Sequence, residues 1–104
     1  MKELRRVERA IINRDVDEII IIANGQENGK VLRKYLKNKF KEYDLTYRII
    51  TKQKTSDEIN HFKAMTILWS NWFRNREMLD YVDRNLINVP RVIALSEIDE
   101  VREC

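Results

Sequence analysis

Residues 19–23 read Ile-Ile-Ile-Ile-Ala, an unbroken apolar run of mostly β-branched side chains with no polar face. Such side chains crowd the preceding turn of a helix but fit a pleated strand. A strand with one wet face would alternate apolar and polar residues, whereas one buried on both faces reads as a continuous apolar run, as in parallel sheets. The run therefore predicts an interior strand of a parallel sheet with helices on both faces. Asp17-Glu18 leads into it, and Asn24-Gly25 breaks it with turn chemistry.

The neighbouring segments fit that frame. Residues 2–13 place Leu4, Val7, Ala10 and Ile11 at helical spacing, with Arg5, Arg6, Glu8 and Arg9 largely elsewhere. After the Asn24 turn, Asn28 can cap a helix whose apolar stripe is Val31, Leu32, Tyr35, Leu36 and Phe40. Residues 45–51, with Tyr47, Ile49 and Ile50, return as a second strand, the expected βαβ crossover. Thr55, Ser56, Asp57 and Glu58 read as a helix start.

Residues 62–73 carry two patterns. Phe62, Met65, Trp69 and Trp72 lie at helical spacing, while Met65 to Trp69 also reads as a buried strand. The helical alternative needs about thirty unbroken residues, well beyond the ordinary 8 to 20. An internal match also favours the strand: Ala23 to Leu32 laid over Ser70 to Leu79 aligns Asn24 with Asn71, Asn28 with Asn75 and Leu32 with Leu79, at an offset of 47 residues. Both blocks follow an apolar run, so each half reads as strand, Asn-led turn, Asn cap and amphipathic helix. Asn88-Val89-Pro90 closes the third helix, Arg91 to Leu95 forms a last strand, and Ser96 caps a short acidic helix. The expected architecture is α/β: a small three-layer open sheet of about four parallel strands in the order 2-1-3-4, with an N-terminal helix and helices on both faces.

At 104 residues, 43% hydrophobic and 36% charged, the chain has material for one core and carries no linker-like tract, so residues 1–104 are expected to form a single domain. No apolar run approaches the roughly 20 residues of a membrane helix, and the start lacks the apolar stretch of a signal peptide. One cysteine, Cys104, stands at the end, which leaves no internal disulfide or cysteine metal cluster. These features point to the cytoplasm and away from a membrane.

Ligands of open α/β sheets bind beyond the carboxyl ends of the strands, where strand order reverses. The predicted order selects the loops 24–30, 52–56, 70–76 and 96–99, the first and third flanking the reversal. Asn24, Gly25, Asn28, Gly29, Lys30, Ser70, Asn71, Arg74 and Arg76 offer amides, helix-start N–H groups and cations suited to an anion. A small module holding a phosphate-bearing or nucleotide-like ligand is the leading expectation. Ordinary turn and cap chemistry accounts for the same Asn and Gly residues.

Specific catalytic signatures are missing. Gly25 to Val31 has three residues between its glycines where the phosphate-binding P-loop has four, and Val31 stands where the Mg²⁺-binding hydroxyl is required. His61 is the only histidine, which gives little support to zinc or a Cys–His pair. Ser70 lacks the flanking glycines of a nucleophile elbow. The pairs Asp17-Glu18, Asp57-Glu58 and Asp99-Glu100 sit at element ends, where capping explains them. No catalytic residue, metal or cofactor is assigned.

Charge suggests a second class of function. Net charge is +3, and residues 28–42 carry Lys30, Arg33, Lys34, Lys37, Lys39 and Lys41 against Glu42 alone. Lys30, Lys34, Lys37 and Lys41 fall on one helical stripe that could follow the phosphates of a nucleic acid or dock an acidic protein, although no exposed aromatic is evidently interleaved for base stacking. Trp72 and Phe73, beside Arg74 and Arg76, offer an anchor for a homodimer or another homo-oligomeric assembly.

Overall fold

The computed structural model describes residues 2–52, 63–86, 91–96 and 101. The order of elements is α1 (Lys2–Ile12), β1 (Glu18–Ile22), α2 (Gln26–Lys39), β2 (Thr46–Ile50), β3 (Ala64–Trp69), the 3-10 turn η1 (Trp72–Arg74), α3 (Arg76–Asn85) and β4 (Val92–Leu95). The four strands form one sheet in the order β2-β1-β3-β4, and every pairing is parallel. The expected fold class and strand order are both observed. The expected helix starts at 55–58 and after Ser96, and the closing segment 88–90, lie outside the described residues.

The isoleucine run sits where its composition requires. Ile19 to Ile22 are all fully buried, because β1 is flanked by β2 and β3 and covered above and below. Each such burial contributes about 1.5–3 kcal/mol. Ile19, Ile21 and Ala23 join Met65, Ile67, Trp69, Ile93 and Leu95 beneath α1 and α2, which supply Leu4, Val7, Ile11, Leu32, Tyr35 and Leu36. Ile20 and Ile22 join Ile50 and Ala64 on the opposite face, against Met78 and Tyr81 of α3. The ambiguous segment resolves as a strand: Ala64 to Trp69 pairs with both β1 and β4.

Two local expectations are corrected. The helix after β1 starts at Gln26 with Gly25 at the N-cap, so Asn28 lies in its first turn instead of capping it. The internal match also fails in helical phase. Leu32 is fully buried on α2, but its counterpart Leu79 is 39% exposed on α3, which begins only after the extra turn η1. The β1–β3 ladder, moreover, pairs Glu18 with Ala64, one residue out of step with the sequence match.

Two backbone details hold the layers. At the end of α1, Asp15 N–H donates to Ala10 C=O and Arg14 N–H to Ile11 C=O, a Schellman closure with Arg14 at φ 59° in the left-handed position. In α2, Gly29 is buried against β2, and a Cβ there would lie 2.6 Å from Ile49 Cγ2. The β-branched Ile49 side chain is stiff and cannot swing aside freely. Gly29→Ala should therefore destabilise by about 1–2 kcal/mol, overpacking outweighing the helix-propensity gain of about 1 kcal/mol. In an Ile49→Ala background the same change should become neutral or stabilising. Chemical denaturation of the four variants checks this, and a destabilisation that persists without Ile49 would refute the contact as its cause.

Candidate functional site

The observed order puts the reversal between β1 and β3. Chain leaving β1 turns at Asn24-Gly25 into α2 on one face, and chain leaving β3 turns at Ser70-Asn71 through η1 into α3 on the other. Side-chain amides bridge these turns.

The donor and acceptor assignments follow from chemistry. An indole N–H can only donate. Trp69 Nε1 lies 2.9 Å from Asn28 C=O and 3.0 Å from Asn28 Oδ1, so the amide oxygen of Asn28 faces the indole. Asn28 Nδ2 then donates to Asn71 Oδ1 at 3.1 Å. Among the described residues no acceptor meets Asn71 Nδ2. On the other side, Asn75 Nδ2 donates to Asn24 C=O at 3.2 Å and to Thr51 C=O at 2.8 Å, tying the start of α3 to the ends of β1 and β2. Gln26 Nε2 adds a bond to Thr51 Oγ1 at 3.3 Å.

The four asparagines aligned by sequence thus meet crosswise, Asn28 with Asn71 and Asn75 with Asn24. Asn75 occupies the N-cap position of α3, yet its side chain makes no cap bond because both carbonyls claim it. Sequence signals marked these residues as polar turn formers but carried no information on which pairs would join.

The remaining candidates divide by position. Gly25 is at the N-cap of α2, with no side-chain cap and nothing within 4 Å of where its Cβ would stand, so the approach to the helix start is open. Gly29 packs under the helix against Ile49 and is removed from the set that can touch a ligand. Lys30 is exposed and pairs with Glu27 at 3.3 Å. Ser70 adopts φ 57°, a left-handed conformation costly for a residue with a Cβ, while its N–H donates to Leu95 C=O at 2.8 Å. Arg74, Arg76 and Lys52 are exposed at the same rim. Among the described residues no cluster of His, Cys, Asp or Glu could hold a metal, and no helix is long and apolar enough to cross a membrane. His61 lies outside the described residues.

Away from the rim, α1 and α2 lie side by side over the same sheet face. Arg5, Arg6, Arg9, Lys34 and Lys37 are exposed on them, with no ion-pair partner among the described residues. Lys39 is committed instead: its Nζ lies 2.6 Å from Glu8 Oε2 and 3.3 Å from Tyr35 Oη, joining the two helices. The hydrogen bond that Lys39 donates to Glu8 raises the Lys39 pKa, and burial raises that of Tyr35. The opposite helix, α3, mixes Arg76 and Arg84 with Glu77, Asp80 and Asp83. Among the described residues, α1 and α2 therefore carry an excess of positive charge that α3 lacks.

Replacing Asn75 with aspartate isolates the crosswise bonds. Aspartate is ordinarily welcome at a helix start, worth about 0.3–1 kcal/mol there, but it cannot donate to the Asn24 and Thr51 carbonyls. Asn75→Asp should cost about 1–3 kcal/mol at neutral pH, the loss falling away as the carboxyl protonates in acid. Thermal unfolding across pH measures this, and an equally stable or stabilised variant at neutral pH would contradict the assignment.

No protein-family model, curated protein or solved structure matches this chain, so its function has to be read from the site itself.

Proposed function

We propose that the chain is a small Rossmann-like binding module, working in the cytoplasm, that holds a phosphate-bearing, nucleotide-like ligand at the carboxyl rim of its sheet. The observation that carries this reading is the strand reversal between β1 and β3, the position at which open α/β sheets receive ligands. Its surroundings suit an anion. The start of α2 has no side-chain cap, open space at Gly25 and N–H groups left for an acceptor. Asn71 Nδ2, Lys30, Arg74 and Arg76 supply donors and charge around it. The Trp69–Asn28–Asn71 chain holds both turns in place before a ligand arrives, which lowers the ordering cost of binding.

A ligand binding only the folded state at a hundred times its Kd stabilises by about 2.7 kcal/mol. A thermal-shift series with nucleoside phosphates should accordingly raise Tm by several degrees. Gly25→Leu should abolish the shift by filling the open approach, and the pair Arg74→Gln, Arg76→Gln should weaken it. Absence of any shift across the series, or shifts indifferent to both variants, would overturn the reading. Phe73, 53% exposed at this rim, is the residue through which a homodimer would form, since Trp72 packs on the second core.

The one-sided charge supports a second reading, in which the α1/α2 face binds a nucleic-acid backbone through Arg5, Arg6, Arg9, Arg33, Lys34, Lys37 and Lys41. Binding of this kind releases counterions and weakens steeply with salt. Lys34→Glu with Lys37→Glu should lower affinity for any nucleic acid and flatten the salt slope. Affinity unchanged by both substitutions would remove it.

A further inference from the structure

At the far end of α2 from the rim, about 20 Å away along the helix axis, lies a cleft of about 310 Å³ lined by Lys37, Phe40, Lys41, Tyr43, Leu45 and Tyr47. Phe40 is the buried floor, and its ring meets Tyr43 edge-on at 5.7 Å and 80°. Arg14, held by the Schellman closure of α1, stacks its guanidinium 4.8 Å from the Tyr43 ring centre, and Lys37 Nζ lies 5.9 Å from that of Tyr47. The rings of Tyr43 and Tyr47 are half-buried, so each keeps solvent-facing surface.

The Tyr47 hydroxyl is shut off from solvent and makes no hydrogen bond among the described residues. Burial accordingly raises its pKa, so it stays a neutral donor at physiological pH. The cleft combines flat aromatic walls and cations at its mouth. Its volume is at the small end of ligand sites, enough for one flat ring with its sugar and too little for a larger cofactor.

We infer that this cleft takes one base of a single-stranded nucleic acid, stacked against Tyr43 and Tyr47, with the adjoining phosphates on Lys37 and Lys41. A strand is favoured as the source because Lys34 continues the positive line along α2 from the cleft mouth, giving further phosphates somewhere to lie. The inference rests on the basic-face reading and adds to it the preference for an unpaired base. A duplex keeps its bases stacked inside and can use the charges but not the cleft.

The test is fluorescence anisotropy at low salt with the full chain, comparing a short labelled oligothymidylate with a duplex of equal length. The oligothymidylate should bind at least about tenfold more tightly. Tyr43→Leu, which keeps an apolar side chain without a π face, should weaken it about 5- to 100-fold, the range that stacking on one aromatic supplies. Duplex binding should not change. Tyr43→Phe should bind like the parent, and in the parent the ring protons of Tyr43 and Tyr47 should shift on adding oligothymidylate, a readout independent of how any variant folds. Equal affinity for single strand and duplex, or single-strand binding indifferent to Tyr43→Leu, would overturn the cleft while leaving the basic face standing. Binding of neither nucleic acid would overturn both.

Discussion

The pairing of β1 with β3 is the constraint on which the rest of the molecule depends. β1 is apolar on both faces, so it can lie nowhere but the interior of a sheet covered on both sides, with a strand along each edge. α2 carries the chain over one face and returns it as β2 on one edge of β1. The other edge must then be filled by a strand from further along, and β3 is the segment apolar enough to do it. With β3 in place, the connections on the two sides of β1 leave toward opposite faces, α2 to one and α3 to the other. The strand reversal at the rim follows from that divergence.

Polar side chains hold that rim together. A rim between diverging connections is a weak point, because the turns on each side have few neighbours and their carbonyls lack ladder partners. Asn28, Asn71 and Asn75 bridge it, and Trp69 anchors the first of them through its indole N–H. The charges are separated from this structure work. Among the described residues, Lys39 is drawn into a bond between α1 and α2, while Arg5, Arg6, Arg9 and Lys34 stay exposed without an ion-pair partner.

Much of the frame was legible because it depends on period and composition. The isoleucine run, the Leu4, Val7 and Ile11 stripe and the Leu32 and Leu36 stripe each state which face is buried, and those faces are buried. The site was only half legible. Turn chemistry marks Asn24, Asn28, Asn71 and Asn75 as a class, but the partners depend on strand register and helix phase, which a local pattern does not carry. One residue of register and one extra turn, η1, are enough to cross the pairs. Gly29 misled for a related reason: a glycine in a loop-like sequence and a glycine required by close helix–strand packing look alike until Ile49 is set against it. The aromatic cleft was invisible because Phe40, Tyr43 and Tyr47 belong to the end of a helix, a loop and an edge strand, and only folding brings them to one place.

Backbone NOEs measure the insertion of β3 between β1 and β4 most directly. Cross-strand contacts in parallel register are expected between Ile19 and Met65, between Ile21 and Ile67, and between Ile67 and Ile93. Helical contacts three residues apart through 65–69, or β1 contacts made to 92–95 in place of 64–68, would contradict the strand order and dissolve the rim site with it.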